Sequence, residues 1–157
     1  QLPTVPGGDF EPDWSPDGTQ FVYAVQRFGA YQVWLMSSSG EDERQFVRSG
    51  TTLSDYLPFW SNDGSRIIFN QRRANIFSQP YLMTIAAVNP PTEQGDPLDF
   101  NVISIENAQY SPDGLWILFE GSNRDIWYMT SAGESQTKIN TGKGLAFDPT
   151  WRPVQAP

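Results

Sequence analysis

With 157 residues the chain is long enough for one ordinary domain and too short for two, so a single structural unit is expected. It contains no histidine and no cysteine, which excludes disulfides, zinc-thiolate sites, imidazole bases, Ser-His-Asp triads and Cys-His dyads within it. A formal charge of -8, with 10 Lys and Arg against 18 Asp and Glu, argues against nucleic acid as a partner, because phosphate binding needs clustered cations.

The first element ends at Trp14-Ser15-Pro16-Asp17-Gly18. An aromatic residue closes a strand, Ser and Pro enter a turn, and Gly supplies positive φ. An apolar run, Phe21-Val22-Tyr23, follows, so the stretch reads as a hairpin corner. The corner returns as Trp60-Ser61-Asn62-Asp63-Gly64 before Ile67-Ile68-Phe69, and as Tyr110-Ser111-Pro112-Asp113-Gly114 before Ile117-Leu118-Phe119. A third strand ends near methionine in each unit: Tyr31 to Met36, Pro80 to Met83 and Ile126 to Met129. Polar turns follow in the outer units, whereas the middle unit carries a long insertion, Val88 to Pro97. A weaker fourth strand is expected at Arg44 to Val47, Phe100 to Ile103 and Thr137 to Ile139.

Four short strands per unit, with landmarks Trp14, Trp60, Tyr110 and Trp151 at spacings of 46, 50 and 41, match propeller blades. No helical periodicity competes. The expected architecture is all-β: a partial β-propeller of three four-stranded blades over about 9–48, 55–104 and 107–140, plus terminal strands. A partial fourth unit spans 145–153, and Leu2-Pro3-Thr4 reads as the last strand of a preceding blade. Because end blades lack one neighbour, completion by homo-oligomerisation is expected, with a fragment of a longer propeller as the alternative. No apolar run approaches a membrane span and no leader is seen at Gln1, so neither membrane insertion nor a signal peptide is expected.

These residues resemble the TolB-type, WD-repeat-like β-propeller family. The first unit carries the resemblance best, with Asp9, Pro12, Trp14, Pro16, Asp17, Gly18 and Arg27, and the second keeps Asp55, Pro58, Trp60, Asp63, Gly64 and Arg72 or Arg73. The third departs, placing Ile105 and Ala108 where Asp and Pro would stand, but retains Asp113, Gly114 and Arg124. The resemblance implies a non-catalytic module for protein-protein interaction, in the bacterial envelope or another extracytoplasmic setting, or a domain attached to a sensor or peptidase. A self-assembling scaffold is the alternative from a different class.

The recurring Ser and Asp of the corners belong to the turn by their repetition and not to a nucleophile. An acid before the first strand and an Arg after the second share one rim of a meander, which pairs Asp9 with Arg27 and Asp55 with Arg72 or Arg73 as blade-linking ion pairs or as a recognition face. Asp9, Glu11, Asp13, Asp55, Arg72, Arg73 and Arg124 are the candidate contacts for a protein or peptide partner. Additional unpaired acids, Glu11, Asp13, Glu106 and Asp148, favour a cation or a basic peptide. No cofactor is expected; calcium is the one ion the carboxylates leave open, although no Asp-x-Asp-x-Asp-Gly loop occurs.

Overall fold

An apolar run after each Asp-Gly corner favours a strand that buries both faces, and such a strand needs a sheet on either side. The computed structural model describes residues 9–27, 29–47, 52–73, 81–86, 96–97, 105–121, 124–139 and 149–151. All regular structure among them is β: β1 (Asp9–Trp14), β2 (Gln20–Arg27), β3 (Ala30–Ser37), β4 (Arg44–Gln45), β5 (Leu53–Trp60), β6 (Arg66–Arg73), β7 (Tyr81–Ala86), β8 (Asp96–Pro97), β9 (Ile105–Tyr110), β10 (Trp116–Gly121), β11 (Ile126–Thr130) and β12 (Thr137–Ile139). They form three antiparallel meanders of four strands, each ordered as in the chain. No helix among the described residues is long and apolar enough to cross a membrane.

Period-2 alternation decides which sheet each side chain meets. Val22, Val33, Leu35, Phe46 and Val47 of the first sheet pack against Ile67 and Phe69 of the second, with Trp60 alongside. Ile68, one residue along β6 and therefore on its other face, joins Ile105, Tyr110, Ile117, Phe119 and Met129 of the third sheet. Ile67, Ile68 and Phe69 are each 0% exposed, and burial of a side chain of this size is worth about 1.5–3 kcal/mol relative to exposure. The first strands β1, β5 and β9 lie together in succession, whereas among the described residues the backbones of β4, β8 and β12 approach only their own third strands. Sheets that converge at their first strands and splay at their fourth make the fan of a partial propeller.

Two details depart from the sequence reading. Met36 and Met129 stand opposite Phe21 and Ile117, but the equivalent place opposite Ile67 belongs to Ile85, with Met83 two residues earlier opposite Phe69. A slip of two preserves the period-2 parity of the strand. In the second sheet the fourth strand is Asp96–Pro97, paired with Met83 and Thr84, so the end of the expected insertion is itself a strand. Phe100 to Ile103 and Leu2 to Thr4 lie outside the described residues. Of the partial fourth unit, 149–151 is described and carries no strand; Trp151 Nε1 donates to the Gln109 carbonyl at 3.2 Å, which ties it to β9.

Candidate functional site

Each corner is closed by one hydrogen-bond pattern. Gly18, Gly64 and Gly114, with φ of 69°, 70° and 72°, donate to the carbonyls of Ser15, Ser61 and Ser111. The serine hydroxyl donates to Oδ1 of Asp17, Asp63 or Asp113 at 2.7, 2.6 and 2.5 Å, and the same oxygen accepts the backbone N–H two residues on. Thr19 and Ser65 add a hydroxyl bond that Leu115 cannot supply. These bonds favour the carboxylate, the serine hydroxyl contributing most: Asp17 and Asp113 are held below their ordinary range, and Asp63 falls to about 2. Trp14, Trp60 and Tyr110 immediately precede these corners.

The expected unpaired acids Glu11 and Asp13 have backbone partners. β5 is an edge strand whose outward N–H groups have no ladder partner, and the first sheet supplies acceptors for them. Leu57 N donates to Glu11 Oε2 at 2.7 Å, and Trp60 N donates to Asp13 Oδ2 at 2.8 Å. Burial raises the Asp13 carboxyl above its ordinary value, against the lowering pull of the Trp60 and Trp14 N–H groups. Glu11, Leu57 and Asn107 share a backbone feature that sequence reasoning missed. All three occupy positive φ, at 56°, 51° and 51°, where the register shifts in β1, β5 and β9. The signal was their common place three residues before the landmark aromatic, hidden because Glu and Leu do not advertise a bulge.

On the rim opposite the corners, Arg27 lies 3.4 Å from Glu43 and places its guanidinium carbon 3.9 Å from the Trp34 ring centroid. Asp55, 1% exposed, accepts from Gln71 Nε2 at 2.8 Å. Arg72 stands 5.1 Å from the Tyr56 ring centroid. Burial pushes the Tyr56 hydroxyl up to about 12; Arg72 pulls it down, while Glu106 and Glu11 push it further up. Arg72 thus sits over the Tyr56 ring, and Glu11 binds the backbone of the next residue, Leu57. Arg124 is exposed in the β10–β11 turn, its N–H donating to the Gly121 carbonyl. The side chains of Asp9 and Arg73, and all of Asp148, lie outside the described residues.

The corner-bearing rim holds a cleft of about 340 Å³ between the first two sheets. Pro16, Asp17 and Thr19 line one side and Asp63 and Gly64 the other. Leu35, Phe46 and Trp60 provide apolar lining, and Arg44 is held to the Asp42 carbonyl and to Gln20 Oε1, each at 3.3 Å. The arrangement combines apolar surface, fixed carboxylates and a tethered guanidinium, which is equipment for holding a side chain. Among the described residues no group of three or more metal-ligating side chains is found.

Radial four-stranded meanders seamed by apolar faces define this chain as a β-propeller segment. It belongs to the TolB beta propeller domain family, which matches residues 1–155. It is 28% identical over 131 residues to the protein Atu1656 of Agrobacterium fabrum, covering 80% of this chain and 41% of that one. Its fold is similar to that of a TolB-type protein from Agrobacterium tumefaciens (TM-score 0.69, 18% identity, 86% of this chain and 49% of that chain). TolB from Acinetobacter baumannii gives a TM-score of 0.67 at 18% identity over 87% of this chain and 33% of that one. Oligogalacturonate lyase in complex with manganese gives 0.66 at 15% identity over 94% and 39%, so enzymes are among the structural neighbours. The chain therefore spans half or less of the length of each.

Proposed function

We propose that this chain is a non-catalytic binding module that recognises a protein or peptide at the cleft between its first two sheets. The observation that supports this reading is the cleft's lining, in which the carboxylates are engaged by corner hydroxyls and N–H groups beside an apolar floor. Side chains held this way suit recognition better than proton transfer, and the chain contains no His or Cys to take that part. The family resemblance points the same way and brings an extracytoplasmic location with it, which cell fractionation tests. Panning a random peptide display library against the immobilised chain should enrich binders that are lost on Thr19→Trp, which fills the mouth of the cleft. Enrichment of nothing, or of peptides indifferent to that substitution, contradicts the proposal.

A second reading, self-association through the outer blade faces, is favoured by Trp14, which is 57% exposed where its counterpart Tyr110 is 8% exposed against the preceding sheet. Further blades in the same polypeptide would cover that face equally well. Sedimentation of this chain separates the two: a concentration-dependent dimer supports self-association, and a monomer at all concentrations refutes it.

A further inference from the structure

At the corners, the two seams differ in the residue that precedes Asp. In the second corner Asn62 stands where the others have Pro16 and Pro112, and its Nδ2 donates across the seam to the Ser111 carbonyl at 2.6 Å. Pro16 has no donor to send across to the equivalent Ser61 carbonyl. The corners are nevertheless neighbours, since a methyl built on Gly64 would lie 3.8 Å from Pro16 Cδ. The second seam is thus bridged on this rim, and the first opens into the cleft.

The cleft's chemistry selects its occupant. Its volume is near the lower bound of about 300 Å³ for small-molecule pockets, room for one long side chain and not for a folded element. The partly exposed Trp60 gives an aliphatic stem an apolar surface, while Asp17 and Asp63 flank the opening with Oδ1 fixed by the corners. Two carboxylates against Arg44 leave the lining at -1, on a chain of -8. The two terminal nitrogens of Arg44 are engaged by the Asp42 carbonyl and Gln20 Oε1. We infer that the cleft receives a lysine or arginine side chain of the partner, with its stem against Trp60 and its cation between Asp17 and Asp63. This rests on the binding-module reading. A calcium ion fits less well, because two carboxylates fall short of six to eight oxygen ligands.

The test is an amide NMR titration of the full chain with a blocked pentapeptide Ala-Ala-Lys-Ala-Ala, its glutamine counterpart and calcium chloride. The lysine peptide should shift Thr19, Phe46, Trp60 and Gly64 saturably, and the glutamine peptide and calcium should not. Asp17→Asn and Asp63→Asn keep the corner acceptor and should each weaken binding about two- to fivefold. Pro16→Asn keeps both charges and supplies a donor toward Ser61, so it should abolish binding by bridging the seam. Equal binding of the glutamine peptide, indifference to both Asp substitutions, saturation by calcium alone, or no saturable shift would each overturn the inference. Of these, equal glutamine binding at the cleft would leave the binding-module reading standing, whereas the absence of any peptide from panning would remove that reading itself. The Asp variants keep the test decisive if Pro16→Asn disturbs the corner.

Discussion

Three copies of one corner, differing at the residue two places after Asp, form a natural series in hydrogen bonding. Ser65 gives Asp63 both a backbone and a hydroxyl donor, and Asp63 titrates near 2; Leu115 gives Asp113 only the backbone N–H. Leu115→Thr should therefore lower the Asp113 pKa toward that of Asp63, with little loss of packing because Leu115 is 62% exposed. Carboxyl-carbon NMR titration reads the change; an unmoved pKa contradicts it. The corner acids and Asp13 have opposite pH signs. Asp63 is depressed from 3.8 when folded, so its contribution is present above 3.8 and is lost as pH falls toward 2. Asp13 is raised when folded, so it favours the native state at low pH and loses that contribution as pH rises from 3.8 through the folded value. Asp13→Asn keeps an acceptor for Trp60 N without a desolvated charge, and should be at least as stable as the parent at neutral pH. Asp13→Ala leaves that N–H without its acceptor and should cost about 1–3 kcal/mol in urea unfolding.

At the scale of strands, the left-handed residue in each first strand sets where that strand bends. Asn107 tolerates φ of 51° through its short polar side chain, and Asn107→Val should destabilise by about 1–2 kcal/mol in the same assay. Asn62→Ala removes the cross-seam bond to Ser111 and should cost about 1 kcal/mol. Corner, strand and apolar face were legible from sequence because each repeats within its own unit. Seam chemistry was not, since its partners come from different units and need not repeat. Glu11 and Asp13 bond the next sheet's edge, but their counterparts in the second unit are Leu57 and Phe59, and that seam uses Asn62 and Asn70 instead, donating to Ser111 and Ile105. Ion-pair logic points to the rim that carries Arg27, Arg72 and Arg124. The cleft, however, lies on the other rim, where the relevant difference was a single Pro-to-Asn exchange.

For the molecule as a whole, two apolar seams join the sheets, a further buried cluster of Phe21, Tyr23, Val25 and Met36 lies in the first sheet, and burial tapers outward along the third. β12 is exposed at every residue, and Ile139 stays 38% accessible, while Val22, Ile67, Ile68 and Ile117 are all 0% exposed. A charge of -8 opposes association of the outer faces, so any dimer formed through Trp14 should strengthen with salt; sedimentation at low and high ionic strength checks this, and weakening with salt contradicts it. Hydrogen exchange read amide by amide bears most directly on the radial arrangement. Slowest exchange should fall on the paired amides of β2, β6 and β10, with β4 and β12 exchanging orders of magnitude faster. Uniform protection across all strands, or a maximum at β4 or β12, would contradict a fan of sheets held together by its seams.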